Sequence, residues 1–300
     1  MIRKVISLPN RIFDVINYAL ISVFTLAVFY PFYYCVMLSF NDGKDATQGG
    51  IYFWPRIFTL ENYNSVFKEP LMLTAARNSI LRTVLGVVAG VLLTAMFSYA
   101  VSRPKLRFQK FYMTIGVITM YFGGGLIPFY LQIRNLGLLN NFFVYIWPNV
   151  FTMFNALILL TFFKGLPIAL EESAKMDGAN DFIIFFRIIF PLSMPVIATI
   201  ALFIGVRQWN SWFDTMLYTR TDELETLSHL MVKMINTAHY YEEAVANIAT
   251  GSHAAARMRG ITANALQLAT MVITAFPIIV VYPFLQKYFV KGVMIGSLKG

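Results

Sequence analysis

Four carboxylates, Glu171, Glu172, Asp177 and Asp181, fall within the stretch ALEESAKMDGANDF, residues 169–182. Acids this dense can exchange protons, hold a metal, or pair with cations on another protein. The first two uses call for a histidine, a cysteine or a metal-ligand spacing close by. The three histidines, His229, His239 and His253, match no zinc spacing, and the one cysteine, Cys35, lies in an apolar run. The expectation is therefore no metal and no cofactor on this chain, and no catalytic residue. A phosphate loop of the form G-x4-GK[ST] is also absent; FGGGLIP, 122–128, is glycine-rich but lacks the lysine and reads as a packing or bending point.

These acids interrupt an apolar chain. It is 58% hydrophobic and only 13% charged, with a mean hydropathy of +0.62, where a soluble domain is about a quarter charged. A membrane helix needs about 20 mostly apolar residues, and lipid leaves no other open form for such runs. Runs at about 14–39, 79–101, 111–131, 142–163, 182–206 and 262–286 qualify. The reading is an all-α integral membrane protein of six helices in one domain, 1–300, with both termini on one face. The first run continues to about Phe40 without a small-residue cleavage site, so it reads as a retained span rather than a signal peptide. Lys and Arg are densest in SRPKLRFQK, 102–110. The positive-inside rule then puts that loop, both termini and the acid stretch in the cytoplasm, and the long loops 41–78 and 207–261 outside. The net charge of +9 follows from this loop topology and from anionic lipid, without nucleic acid. No pair of acids lies mid-span, which opposes an ion-coupled carrier.

The acid stretch is punctuated as a separate helix. Lys164-Gly165 stops one span, Pro167 suits a new first turn, and Ala169 to Met176 are mostly good helix formers. Gly178 stops again, and Asn180 or Asp181 can cap the next span. A helix over about 167–177 thus stands alone between two spans. It could lie on lipid, although lipid-surface helices favour basic polar faces, or dock into another protein.

Glu172-Ser173-Ala174, three residues, Gly178, nine residues, then Ile188-Ile189-Phe190-Pro191 resembles the EAA signature, E-A-A-x3-G-x9-I-x-L-P, of ABC importer permeases. Ser173 and Phe190 are the departures. FWPRIFTLENYNSVF (53–67), GGLIPFYLQIRNLGLLNN (124–141) and YPFLQKYFVKGVMIGSLKG (282–300) resemble matching segments of the maltose-type, type I carbohydrate permeases, and within them those for oligo- and polysaccharides such as alginate.

The resemblance implies a permease lining half of a sugar pathway in the bacterial cytoplasmic (inner) membrane. It implies a second homologous permease, giving a heterodimer, two ATP-binding subunits that carry ATP and Mg, and an extracytoplasmic substrate-binding protein. It makes 167–177 the coupling helix, with Glu171, Glu172, Ser173, Ala174, Asp177, Gly178, Ala179 and Pro191 as the residues of ATPase coupling. Glu172 would pair with the ATPase. It gives Gly296, Ser297 and Lys299 of the tail an ATPase contact, and His239, Tyr240 and Tyr241 a binding-protein contact. For the sugar itself, Tyr121, Trp147, Asn149, Asn155, Trp209 and Asn210 are aromatic and amide candidates. Two other roles stay open for them. Tryptophans also anchor at membrane interfaces, where RQWNSWFD (207–214) is expected at the outer end of span five, and Asn155 can bond a neighbouring helix. Pro191 and Pro195 either bend span five or are merely tolerated. A permease for a non-sugar solute such as amino acids is the alternative.

Overall fold

The computed structural model describes residues 8–247 and 262–297. Among the described residues the chain is helical, with a single isolated antiparallel bridge between Asn41 and Phe58. It divides into two compact units, Met1–Glu69 with Lys233–Ile273, and Pro70–Val232 with Thr274–Gly300.

In the first unit the Leu8–Ser39 helix exposes its apolar side chains from Ile12 to Phe32, as a helix wrapped by lipid or by another protein does. Its end is tied down: Met37 and Leu38 pack with Ile51, Tyr33, Tyr34 and Leu268. The loop after it is held by amides. Asn62 Nδ2 donates to the carbonyls of Ser39 and Asn41 at 2.9 Å each, and Asn41 Oδ1 accepts from Ile57 N at 3.0 Å. Tyr63 packs on Phe40 and bonds Ser39. Its burial pushes the phenol above the usual tyrosine range, with the Ser39 hydroxyl opposing.

In the second unit the Met72–Ser102 helix is central. Met153–Lys164 and Met194–Asn210 pack along it, and glycines set the spacing. A Cβ on Gly86 would lie 2.7 Å from Gln208 Nε2, and one on Gly90 would lie 3.0 Å from Ile204 Cδ1. Ser98 Oγ donates to the Ala156 carbonyl at 3.0 Å, a cross-helix bond of the kind lipid favours. Val91, Ala95, Leu159, Phe163, Ile184, Ile200 and Ile204 fill the space between.

Three helices are long and apolar enough to cross a membrane unbroken: Arg11–Ser39, Met72–Ser102 and Asn264–Pro283. The other three expected spans are broken, and six crossings result if each bent pair crosses once. The run 111–131 is two helices, Gln109–Tyr121 and Leu126–Asn135, meeting at 120°. Phe122 to Gly125 supply the break, and Gly125 stands at φ +79°, a conformation that disfavours any side chain. The run 142–163 is bent by 51° between Phe142–Asn149 and Met153–Lys164. The run 182–206 turns by 84° at Ser193, between Pro191 and Pro195, after a π-helical turn at Phe185–Ile189. Each proline lacks the N–H that the helix ladder needs, so the bend falls where two rungs are missing.

Candidate functional site

The short helix forms as its residues dictate, over Ala169–Met176. Gly165 ends the preceding helix, and Leu170 N and Glu171 N bond the carbonyls of Pro167 and Ile168. Gly178 closes it at φ +82°, and Ala179 N reaches back to Ala174 O at 2.9 Å. Asn180 then caps the next helix, its Oδ1 accepting from Ile183 N at 2.9 Å. Turns of four residues on either side, Gly165–Ile168 and Asp177–Asn180, leave this helix little freedom to move apart from its neighbours.

The two adjacent glutamates face opposite ways. Glu171 is buried beside Ala174 and is ion-paired with Arg103, at the end of the Met72–Ser102 helix. The Arg103 guanidinium lies 4.8 Å from the Tyr99 ring centroid, and Tyr99 Oη approaches Glu171 Oε2 at 3.4 Å. Glu172, Ser173, Met176, Asp177 and Gly178 are exposed, Met176 to 88%. Lys175 Nζ pairs with Asp181 Oδ1 at 2.8 Å, and this hydrogen bond holds its ammonium charged above the usual lysine range. A cleft of about 510 Å³ runs between this helix and the 103–106 turn, lined by Arg103, Lys105, Ile168, Glu172, Lys175 and Phe182 among others. Pro191 is exposed at the 84° turn.

The pathway candidates separate. Trp147 and Tyr121 are exposed, Asn149 is half-buried at the break between Phe142–Asn149 and Met153–Lys164, and Asn210 is exposed with Nδ2 bonded to Val206 O at 2.9 Å. Asn155 is buried. Trp209 is also buried, its indole N–H donating to Thr274 O at 3.0 Å. RQWNSWFD runs from the end of the Met194–Asn210 helix into the Phe213–Tyr218 helix. Gly205 faces Val87 and Gln208 faces Gly86, so residues 205–208 lie level with the midpoint of the Met72–Ser102 helix. His239, Tyr240 and Tyr241 belong to the Leu227–Asn247 helix and Gly296 and Ser297 to the Ala263–Ser297 helix, but their side chains, and Lys299 altogether, lie outside the described residues.

One cluster escapes a linear reading. Arg82 is 1% exposed within the Met72–Ser102 helix and is ion-paired with Asp214. It also donates to Ser211 O and Gln208 Oε1 at 3.1 Å and lies 4.5 Å from the Tyr145 ring centroid. Asn78 Nδ2 donates to Glu223 O and Glu225 O at 2.8 Å, and Ser79 Oγ accepts from Leu227 N at 2.8 Å. A lone arginine inside an apolar run is the one linear signal.

No protein-family model matches the chain. It is 33% identical over 98% of its length to all of the Bacillus subtilis "Polygalacturonan/rhamnogalacturonan transport system permease protein YtcP". It is 36% identical to B. subtilis "Protein LplC", covering 97% of this chain and 96% of that one. Among solved structures, it resembles a chain of a bacterial ABC transporter involved in the import of the acidic polysaccharide alginate, with a TM-score of 0.80 and 31% identity over 94% of this chain and 98% of that one.

Proposed function

Because the chain belongs to the permease family of ATP-binding-cassette sugar importers, we propose that its Ala169–Met176 helix receives the stroke of a separate ATPase. The protein is the membrane-spanning permease subunit of such an importer. The observation that carries the proposal is the outward edge of this helix. Glu172 and Asp177 stand exposed there and pair with no cation among the described residues, beside the largely bare Met176. An acidic and apolar knob fits a cationic, partly apolar recess on a protein better than it fits lipid.

Force on that knob has three ways into the membrane. The two four-residue turns carry it to Met153–Lys164 and to the bent 181–210 segment. The Glu171–Arg103 pair carries it to Met72–Ser102. A helix held at three points moves its neighbours as one body, and alternating access is then a two-state equilibrium biased by ATP on one side and by the loaded binding protein on the other. The partners in this reading are two ATP-binding subunits, a second, non-identical permease and an extracytoplasmic substrate-binding protein. Both termini and the 102–110 loop face the cytoplasm. The cargo is a fragment of an acidic polysaccharide, supported by the polygalacturonan and alginate importers to which the chain is similar.

In the assembled importer, Glu172→Ala or Gly178→Asp leaves the protein in the membrane but uncouples it. ATP hydrolysis then no longer rises with sugar and binding protein. A wild-type response in both variants would sink the proposal.

A further inference from the structure

Arg207 lies level with the middle of the long apolar Met72–Ser102 helix. Its neighbours Gly205 and Gln208 meet Val87 and Gly86, and Val87 is 15 residues from each end of the Met72–Ser102 helix. That is about 22 Å from the cytoplasmic end, well inside a hydrocarbon core of about 30 Å. Yet Arg207 is exposed on the surface of this chain. A guanidinium facing lipid at that depth is costly, so such a residue faces a water-filled path or another protein.

Its surroundings favour the path. Arg207 Nη2 donates to Asn149 O at 2.5 Å, at the 51° break between Phe142–Asn149 and Met153–Lys164. Irregular backbone at membrane depth is found where it is buried in protein or lines a cavity, and broken helices in transporters mark where cargo is held. Among the described residues no carboxylate pairs with Arg207, whereas Arg82, five residues above Val87 in the same layer, is matched by Asp214. Exposed Trp147 and Asn210 lie two and three residues from Asn149 and Arg207 and can offer a sugar an aromatic face and an amide.

We propose that Arg207 reads a carboxylate of the passing saccharide at the Asn149 break, and so selects for uronate-bearing cargo. This rests on the acidic-sugar reading above. Arginine matches a carboxylate through two parallel N–H donors and stays charged in a partly dry site.

The test is uptake of trigalacturonate and of trimannuronate by the assembled importer in proteoliposomes, with wild type, R207Q and R207K. Glutamine keeps a donor for the Asn149 carbonyl but loses the charge; lysine keeps the charge. The expected result is a fall in uptake of at least about ten-fold in R207Q and a loss several times smaller in R207K. The ATPase rate without sugar and the thermal stability stay at wild-type values in both. R207Q matching wild type, or R207K falling as far as R207Q, overturns the inference and leaves Arg207 a cap on a broken helix. Wild type moving neither trimer overturns the acidic-sugar reading, and the inference with it.

Discussion

Two arginine–carboxylate pairs hold the Met72–Ser102 helix, one within it and one at its C-terminal end, and they are built differently. At Arg82 both partners are buried, and the guanidinium is also met by Gln208, the Ser211 carbonyl and the Tyr145 ring. At Arg103 the arginine is partly exposed, Glu171 is its one acid among the described residues, and the helix carrying that acid is bounded by glycines and largely open on its far side. The first arrangement suits a joint that stays fixed while the transporter changes state. The second suits one that transmits a push, because a single contact at the end of a short helix can shift without unpacking a core. Small displacements at such a site are amplified when the elements it joins have two discrete packings.

Breaking the first joint should have the largest effect. Arg82→Ala leaves Asp214 buried without its cation, and a deletion of this kind costs about 3–5 kcal/mol. The expected outcome is a steep loss of properly assembled protein, read by thermal unfolding of the purified complex. Replacing both Arg82 and Asp214 by leucine costs much less, since no unpaired charge remains. If the double variant unfolds as readily as the single one, the cluster acts through something other than charge burial.

The second joint should affect coupling more than folding. Arg103→Glu or Glu171→Arg alone places like charges together and lowers the sugar-dependent rise in ATP hydrolysis. The exchanged pair, Arg103→Glu with Glu171→Arg, restores a substantial part of it. A double variant no better than the sum of the singles would show that the two side chains do not act through each other.

The smallest effect belongs to Lys175 and Asp181, whose side chains are 50% and 71% exposed. Exposed pairs contribute about 0.2–1 kcal/mol at most and are screened by salt. Asp181→Asn should therefore shift stability by no more than about that amount. The sign of the pH dependence is fixed by the raised Lys175 pKa. The contribution is complete below the ordinary lysine value of 10.5 and is lost as pH climbs through the higher folded value. A stability change between wild type and Asp181→Asn that varies across neutral pH would contradict this.

Much of the Ala169–Met176 helix and its flanking turns was legible in the residues themselves. Lys164-Gly165, Pro167, Gly178 and Asn180 are local signals, and each acts within one helical turn of where it stands. The opposite facing of Glu171 and Glu172 was not legible. Helical periodicity puts Glu171, Ala174 and Lys175 on one side and Glu172, Ser173 and Met176 on the other, but it does not say which side meets Arg103. The breaks were half legible. FGGG and the Pro191–Pro195 pair announced weak points, while the 120° and 84° turns depend on what packs against each half.

The residues alone determined that this chain is a membrane protein, where its long apolar helices run, and that a punctuated acidic helix interrupts them, because hydropathy, caps and turn residues act over a few neighbours. Only the tertiary structure decided that Arg82 meets Asp214 across 132 positions, that Glu171 is spent inside the protein, and that Arg207 meets Asn149 at a helix break. Charge pairing through a low-dielectric interior depends on distance in space, and nothing in the order of residues states that distance.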